Sequence, residues 1–324
     1  MPAFSVAWDQ APALPFPLAV LTNEISDDVA RALAVAIELG ITEVELNTLW
    51  GKQVTDLTPE QVEEARDLLR MAGLPVSLIC DPAFKSAPLE AVAAPGAGET
   101  AAYHRHREIL ERAIVLAHRF GTDRVRVFGF RRPAAHGTIG PGWQAPPPPT
   151  AEELDAIGRG FRPLCTLAAD EGVTLLLENV RFCYADTSAN SRAILEAVAS
   201  PRLRLIWDPA NAFVSGDTAS APEGYAAVRP YVDRVHVKDA RFLDRARGET
   251  AWQRIGDGEV DLAGQLRALL ADGYRGALTI ETHWRLPGDE GERSTVATWR
   301  GLQALLAQVR SAAPVPATRG GERA

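Results

Sequence analysis

Cysteine, lysine and methionine are all scarce in this 324-residue chain, with three, three and two copies. Cys80, Cys165 and Cys183 are odd in number and contain no CxxC pair. That excludes a disulfide framework and a cysteine-rich zinc site, and it points to a reducing compartment. No run of 18 apolar residues occurs, which excludes a membrane-spanning helix. The opening MPAFSVAWDQAPALPFP lacks a basic region and carries Asp9, so it does not read as a signal peptide and the expected location is the cytoplasm. Positive charge is also in short supply: Lys+Arg 34 against Asp+Glu 42 leaves −8 at pH 7, which speaks against nucleic acid or an anionic membrane as partner.

What is present is ordinary globular material, with 46% hydrophobic and 23% charged residues, so disorder, collagen and coiled coil are excluded for the bulk of it. The length allows two average domains or one large α/β barrel. From residue 18 a short apolar run, a polar loop and an amphipathic stretch recur. The apolar runs are Leu18–Leu21, Glu43–Leu46, Val76–Ile79, Val125–Phe128, Val173–Leu177, Leu203–Trp207, Val232–Val237 and Ala277–Ile280. Helical patterns between them end at or near Gly40, Gly73, Gly121, Gly172 and Gly273, and Ser26, Thr58 and Asp261 read as caps. Eight strands alternating with eight helices at about 40 residues per unit predict a single-domain α/β protein, a (β/α)8 TIM barrel. A doubly wound sheet would need a Gly-rich phosphate turn after the first strand, where this chain has TNEISDD. The barrel is expected over 18–311, with tails at 1–17 and 312–324. Two long loops, 81–100 and 131–149, follow the third and fourth strands on the side where barrels build active sites, and they read as lids.

The strongest functional signal lies at strand ends. VTLLLENV ends in Glu178, LRLIWDPAN in Asp208, RVHVKD carries His236 and ALTIETHW carries Glu281. A barrel places these four successive ends around one half of its mouth. Three carboxylates and one imidazole form a donor set suited to a divalent metal ion, Mn²⁺ first, then Mg²⁺ or Co²⁺, with Zn²⁺ less well matched. A lone carboxylate at a strand end is often just a cap; four metal-capable side chains on successive strands are harder to explain that way.

These segments, with EVELNTLWGK, DPAFK, RVRVFGF and IGDGEVDLAGQLRALLADGYRGALTIE, resemble the xylose-isomerase-like barrel superfamily of sugar (phosphate) isomerases and epimerases. The resemblance runs from about Leu18 to Leu306; ketose 3-epimerases, hydroxypyruvate isomerase and inosose dehydratase belong to the group, and endonuclease IV more distantly. It implies metal ligands at Glu178, Asp208, His236 and Glu281, with Glu178 and Glu281 as the catalytic acid–base pair. A metal chelating a carbonyl and the neighbouring hydroxyl would stabilise the enediolate left by proton loss. Two bases on opposite faces give epimerisation, one shared base gives aldose–ketose isomerisation, and a leaving group β to the carbonyl gives the alternative, a lyase or dehydratase of a keto-sugar, keto-cyclitol or keto-glycoside on the same metal site. The implied partner is a small carbohydrate, with no nucleic acid or membrane and with a homo-oligomer left open. A non-catalytic sugar-binding barrel is the remote alternative, since binding alone does not require the two glutamates.

The pattern departs from the free-ketose epimerases at two points. A substrate-binding His usual three residues after the metal Asp is Asn211 here, and an Arg usual about six residues beyond the metal His is Phe242, with Arg241 one step earlier. Further substrate-side expectations are Lys85, Lys238, Asp239, His283, Trp50 and Trp284, all in or beside mouth-side loops, with Trp252 as another aromatic there. Lys52 shares that side. Glu45 and Arg126 alternate with apolar residues on their strands and are expected to point into the barrel, either as an ion pair or as support for the ligands.

Overall fold

Alternation along eight short strands sorts their side chains between two environments. The computed structural model describes residues 16–92, 94, 99–133, 138–217 and 219–311. The strands are β1 (Leu18–Leu21), β2 (Glu43–Leu46), β3 (Val76–Ile79) and β4 (Arg124–Phe128). They continue with β5 (Thr174–Glu178), β6 (Leu203–Trp207), β7 (Val232–Val237) and β8 (Leu278–Ile280). Each pairs in parallel with its sequence neighbour, and β8 closes on β1. In β7, Val235 and Val237 pack outward into the large core under the helices, while Arg234, His236 and Lys238 are the buried polar members of the alternation. A second, small apolar cluster, Leu21, Leu78, Cys80, Leu176 and Ile206, is separate from that outer core.

The helices are α1 (Val29–Glu38), α2 (Pro59–Ala72), α3 (Ala101–Phe120), α4 (Ala151–Asp170) and α5 (Ser188–Val198). Then come α6 (Pro209–Val214), α7 (Tyr225–Val228), α8 (Leu262–Ala271) and α9 (Glu292–Ser311). Thr58 and Asp261 cap α2 and α8 as the sequence suggests, but α1 is capped by Asp28, with Ser26 Oγ accepting from the Asp28 N–H instead. Gly73 and Gly121 close α2 and α3 in the left-handed conformation that a β-carbon disfavours. The connection from β6 to β7 is not one helix. Pro222 and Pro230 interrupt it, leaving the short α6 and α7.

Phe16 and Pro17, counted with the tail in the sequence reading, are ordered parts of the barrel: Phe16 is buried against Tyr274, and Pro17 O accepts from Leu278 N. The remaining tails, 1–15 and 312–324, lie outside the described residues, as do 93, 95–98 and 134–137 of the two long loops. The described parts of those loops are laced to their neighbours. Arg131 N donates to Ala87 O at 2.7 Å, and Arg132 N to Phe182 O at 2.8 Å. Farther on, Gly140 N donates to Arg247 O at 2.9 Å, and the Trp143 ring meets Phe242 at 6.0 Å. The proline-rich loop therefore runs along the rim to a hairpin after β7, Asp239–Asp244 with Glu249–Gln253, which the sequence reading did not foresee.

Candidate active site

Glu178 ends β5 and Glu281 follows β8, while Asp208 caps α6 by accepting the Asn211 N–H on Oδ1 at 2.8 Å. With His236 from β7, they present ligand atoms that all lie within 4.8 Å of one another, and all four residues are buried. The imidazole has two different edges. Nε2 lies 3.0 Å from Glu45 Oε2, while Nδ1 faces Glu178 Oε1 at 3.6 Å and Glu281 Oε2 at 3.4 Å. Neither His236 Nδ1 nor Asp208 Oδ2 has a hydrogen-bond partner, although both are buried. An orphaned buried polar atom is costly, and His236 Nδ1 faces the Glu178 and Glu281 carboxylates with the Asp208 carboxylate beside them. The set fits a divalent cation, with Glu45 fixing the ring as outer carboxylates commonly do for metal-binding histidines.

Cations already present hold this acidity together. Arg126 Nη1 donates to Glu178 Oε2 at 3.0 Å. Lys238 Nζ donates to Glu281 Oε2 at 2.5 Å and lies 2.8 Å from Asp208 Oδ2 without the alignment of a hydrogen bond. Deeper in the barrel, Arg234 bridges Glu43 and Glu45 at 3.0 and 2.8 Å. Glu45 and Arg126 thus point inward but do not pair with each other; each supports a different member of the site.

Burial opposes ionising Glu178, yet Arg126 and then His236 hold its carboxyl down at about 2. Burial likewise works against Glu281, and Lys238 with His283 overrides it, leaving the carboxyl well below the usual range. For Asp208 burial prevails over Lys238 and the carboxyl is raised. Burial disfavours charge on His236 too, but Glu45 and the carboxylates facing Nδ1 push it well above the ordinary imidazole value. A cation bound there would take the place of that proton.

The other expected site residues divide. His283 Nε2 lies 3.1 Å from Glu281 Oε1, and its ring meets Trp252 edge-on at 4.9 Å. Lys238 sits 5.2 Å from the Trp252 ring centroid, so these three frame one side of the opening. Lys85 is exposed, 4.9 Å from the Phe128 ring. Asn211 turns inward: Nδ2 donates to Asn179 O at 3.0 Å and reaches Glu178 Oε1 at 3.4 Å. Asp239 is engaged with the backbone. It accepts the N–H groups of Ala240, Gly256, Gly258 and Val260, pinning the loop beyond the hairpin. Arg241 is exposed on the hairpin, and Trp50 and Trp284 are half-buried.

Sequence reasoning missed Asn179, whose side chain accepts from Asp208 N and donates to Asp208 O, both at 2.8 Å. Its place directly after Glu178 was the available signal. Also missed was Glu24, buried beyond β1, which with Glu281 and His283 makes a second group of metal-capable side chains. Arg285 pairs with Glu24 at 2.7 Å.

A closed parallel (β/α)8 barrel with a buried cation-capable cluster at its strand ends defines the class. The family model of the xylose isomerase-like TIM barrel matches residues 33–302, and the chain belongs to that family. No curated protein matches it in sequence. Among solved structures, a probable 3-DHS dehydratase from Bacillus anthracis superposes with TM-score 0.64 at 19% identity, over 89% of this chain and 98% of that one. A D-allulose 3-epimerase from Methylomonas sp. in complex with D-allulose gives 0.62 at 18%, over 90% and 96%. A xylose isomerase-like TIM barrel protein from Mycobacterium smegmatis in complex with magnesium gives 0.59 at 22%, over 86% and 89%. At these identities the likeness establishes the fold.

Proposed function

We propose that the protein is a divalent-metal-dependent isomerase or epimerase of a small polyhydroxy carbonyl compound, a sugar or sugar phosphate, acting in the cytoplasm. One observation carries the reading: Glu178 and Glu281 face the same centre from β5 and β8, each beside a buried cation that favours its ionised form. In this reading Glu178, Asp208, His236 and Glu281 hold the ion, Mn²⁺ first among Mg²⁺, Co²⁺ and Zn²⁺. The ion, when bound, supplies Lewis-acid polarisation of the substrate carbonyl.

The remaining work falls to the chain. One glutamate, as the carboxylate, takes the proton from the carbon next to the carbonyl, and the other, once it has picked up a proton from solvent, returns it on the opposite face. Arg126 and Lys238 favour the ionised form of Glu178 and Glu281, so whichever acts as the base is charged when it takes the proton. Asn211 and Asn179 hold Glu178 and Asp208 in place through their amides. The Trp252 face offers a surface for the apolar side of a sugar.

Dehydration is the second reading, and His283 favours it. Its Nε2 lies 3.1 Å from Glu281 and the ring is partly open to solvent, so it is placed to protonate a leaving hydroxyl. Solvent-deuterium exchange into a panel of ketoses and keto-cyclitols with Mn²⁺, followed by NMR, tests both. Deuterium beside the carbonyl is the expected result, with an epimer, an isomer or an alkene as the product that separates the readings. Absence of exchange in every compound, with the ion bound, would overturn the assignment.

A further inference from the structure

The rim formed after β3, β4 and β5 carries a charge imbalance that the proposed chemistry does not use. Phe128 is the last residue of β4, two positions beyond the inward-pointing Arg126, and its ring has a cation at 4.9 Å from each of two sources, Arg126 and Lys85. Arg126 is committed to Glu178, whereas among the described residues Lys85 has no carboxylate within ion-pair distance. Phe182, beyond β5, carries two guanidinium groups, Arg131 at 5.9 Å and Arg181 at 5.5 Å. Neither has a carboxylate partner among the described residues; the Arg181 side chain donates only to Gly248 O and Thr250 Oγ1.

Arg131 and Arg181 share the Phe182 ring, and the Lys85 backbone adjoins the same segment through Cys183. Cys183 pairs with Arg131 in a β-bridge, and its thiol donates to Lys85 O at 3.6 Å. The acid closest in sequence, Asp186, is fully taken by Arg132 and Asn190. Like charges near one another repel, and a guanidinium has five N–H donors, of which Arg181 spends two on Gly248 O and Thr250 Oγ1. Arg181 is also half-buried with only neutral acceptors, and burial lowers its pKa. A neutral sugar gives no reason for such a patch; a compact oxyanion does, because Arg and Lys bind it through charge-assisted hydrogen bonds.

We infer that Lys85, Arg131 and Arg181 form an anion subsite at the mouth, taking a phosphate or carboxylate group at the far end of the substrate. The inference rests on the proposed function for the identity of the reacting end, but the subsite itself can be tested without it. Binding of inorganic phosphate and of acetate to the full chain, without metal and at constant ionic strength set with NaCl, is measured by calorimetry. The proteins are wild type, Lys85→Gln/Arg131→Gln, Arg181→Gln and, as control, Arg105→Ala on the outer helix α3.

Saturable phosphate binding that weakens at least tenfold in both rim variants and not in the control is expected. Phosphate without acetate assigns a phosphate ester, and both together assign a carboxylate as an accepted group. Binding no greater than the chloride background, or equal binding in all four proteins, would overturn the subsite. So would tighter binding of a short DNA duplex than of phosphate through the same residues. Mn²⁺ affinity, measured alongside, should be the same in all four, so loss of the subsite and loss of the metal-site reading are distinguishable.

Discussion

On the β5–β8 side of the mouth the three carboxylates of the cluster are matched by buried cations, whereas on the β3–β5 rim three cations have no carboxylate partner among the described residues. Glu178 has Arg126, and Asp208 and Glu281 share Lys238, all of them buried. Lys85 and Arg131 stand exposed on aromatic rings. The contrast follows from where water reaches. An unpaired charge inside the barrel would cost several kcal/mol, so the interior must be nearly neutral to fold. At the rim water solvates the charge, so an imbalance is tolerated and becomes available for recognition.

The contrast can be broken most sharply at the two glutamates. Glu178→Gln and Glu281→Gln should each lower turnover by about 10²–10⁴ with the metal site saturated, because the amide keeps a ligand oxygen and loses the basicity. Full recovery with added Mn²⁺ would reduce both residues to ligands. The two variants should differ in solvent exchange, each washing out the proton of one epimer only.

Next comes Lys238→Met, which strips the cation from two buried carboxylates. Loss of about 3–5 kcal/mol in the metal-free protein is expected from denaturant melts. Mn²⁺ should raise the Tm of this variant more than that of wild type, since a metal ion and the ammonium serve the same oxygens. Equal gains would show that the two act on separate groups. Glu45→Gln should leave the metal cluster in place and loosen His236, weakening Mn²⁺ by about 10–100-fold in a direct titration.

The smallest effect concerns Asp81, a buried carboxyl just past β3. Burial raises it to about 6, against which Thr55 and the Ala83 N–H work only partly. The folded state therefore binds a proton that the unfolded chain has released, and stability falls as pH rises from about 4 to about 6. Asp81→Asn should flatten that fall and be more stable at pH 7 by roughly 1–2 kcal/mol, read from melts at a series of pH values. An unchanged pH profile would show that Asp81 is already ionised in the fold.

Much of the fold was legible because its signals are local. Apolar runs of four to six residues, a Gly at a helix end and a Thr or Asp before a helix each act within a few positions. The eight strands accordingly fall within a residue or two of the apolar runs read from the sequence. The meeting of Glu178, Asp208, His236 and Glu281 was legible for a related reason. Parallel strands of one barrel bring their carboxyl ends to the same level, so position on a strand becomes position at the mouth. The sequence could not show the turn of Asn211 toward Glu178. Nor could it show that Asp239, next to Lys238, binds backbone N–H groups some twenty residues onward.

Alone, the sequence determined the barrel, the residues facing into it, and three carboxylates with a histidine at four successive strand ends. Only the tertiary structure decided how those groups are held. Glu45 meets His236 across 191 positions, Arg126 meets Glu178 across 52, and Lys238 reaches between Asp208 and Glu281. Such pairings depend on side-chain reach and on the register between strands far apart in the chain. They are chosen by the cost of burying a charge alone, a cost that arises only once the barrel has closed and excluded water.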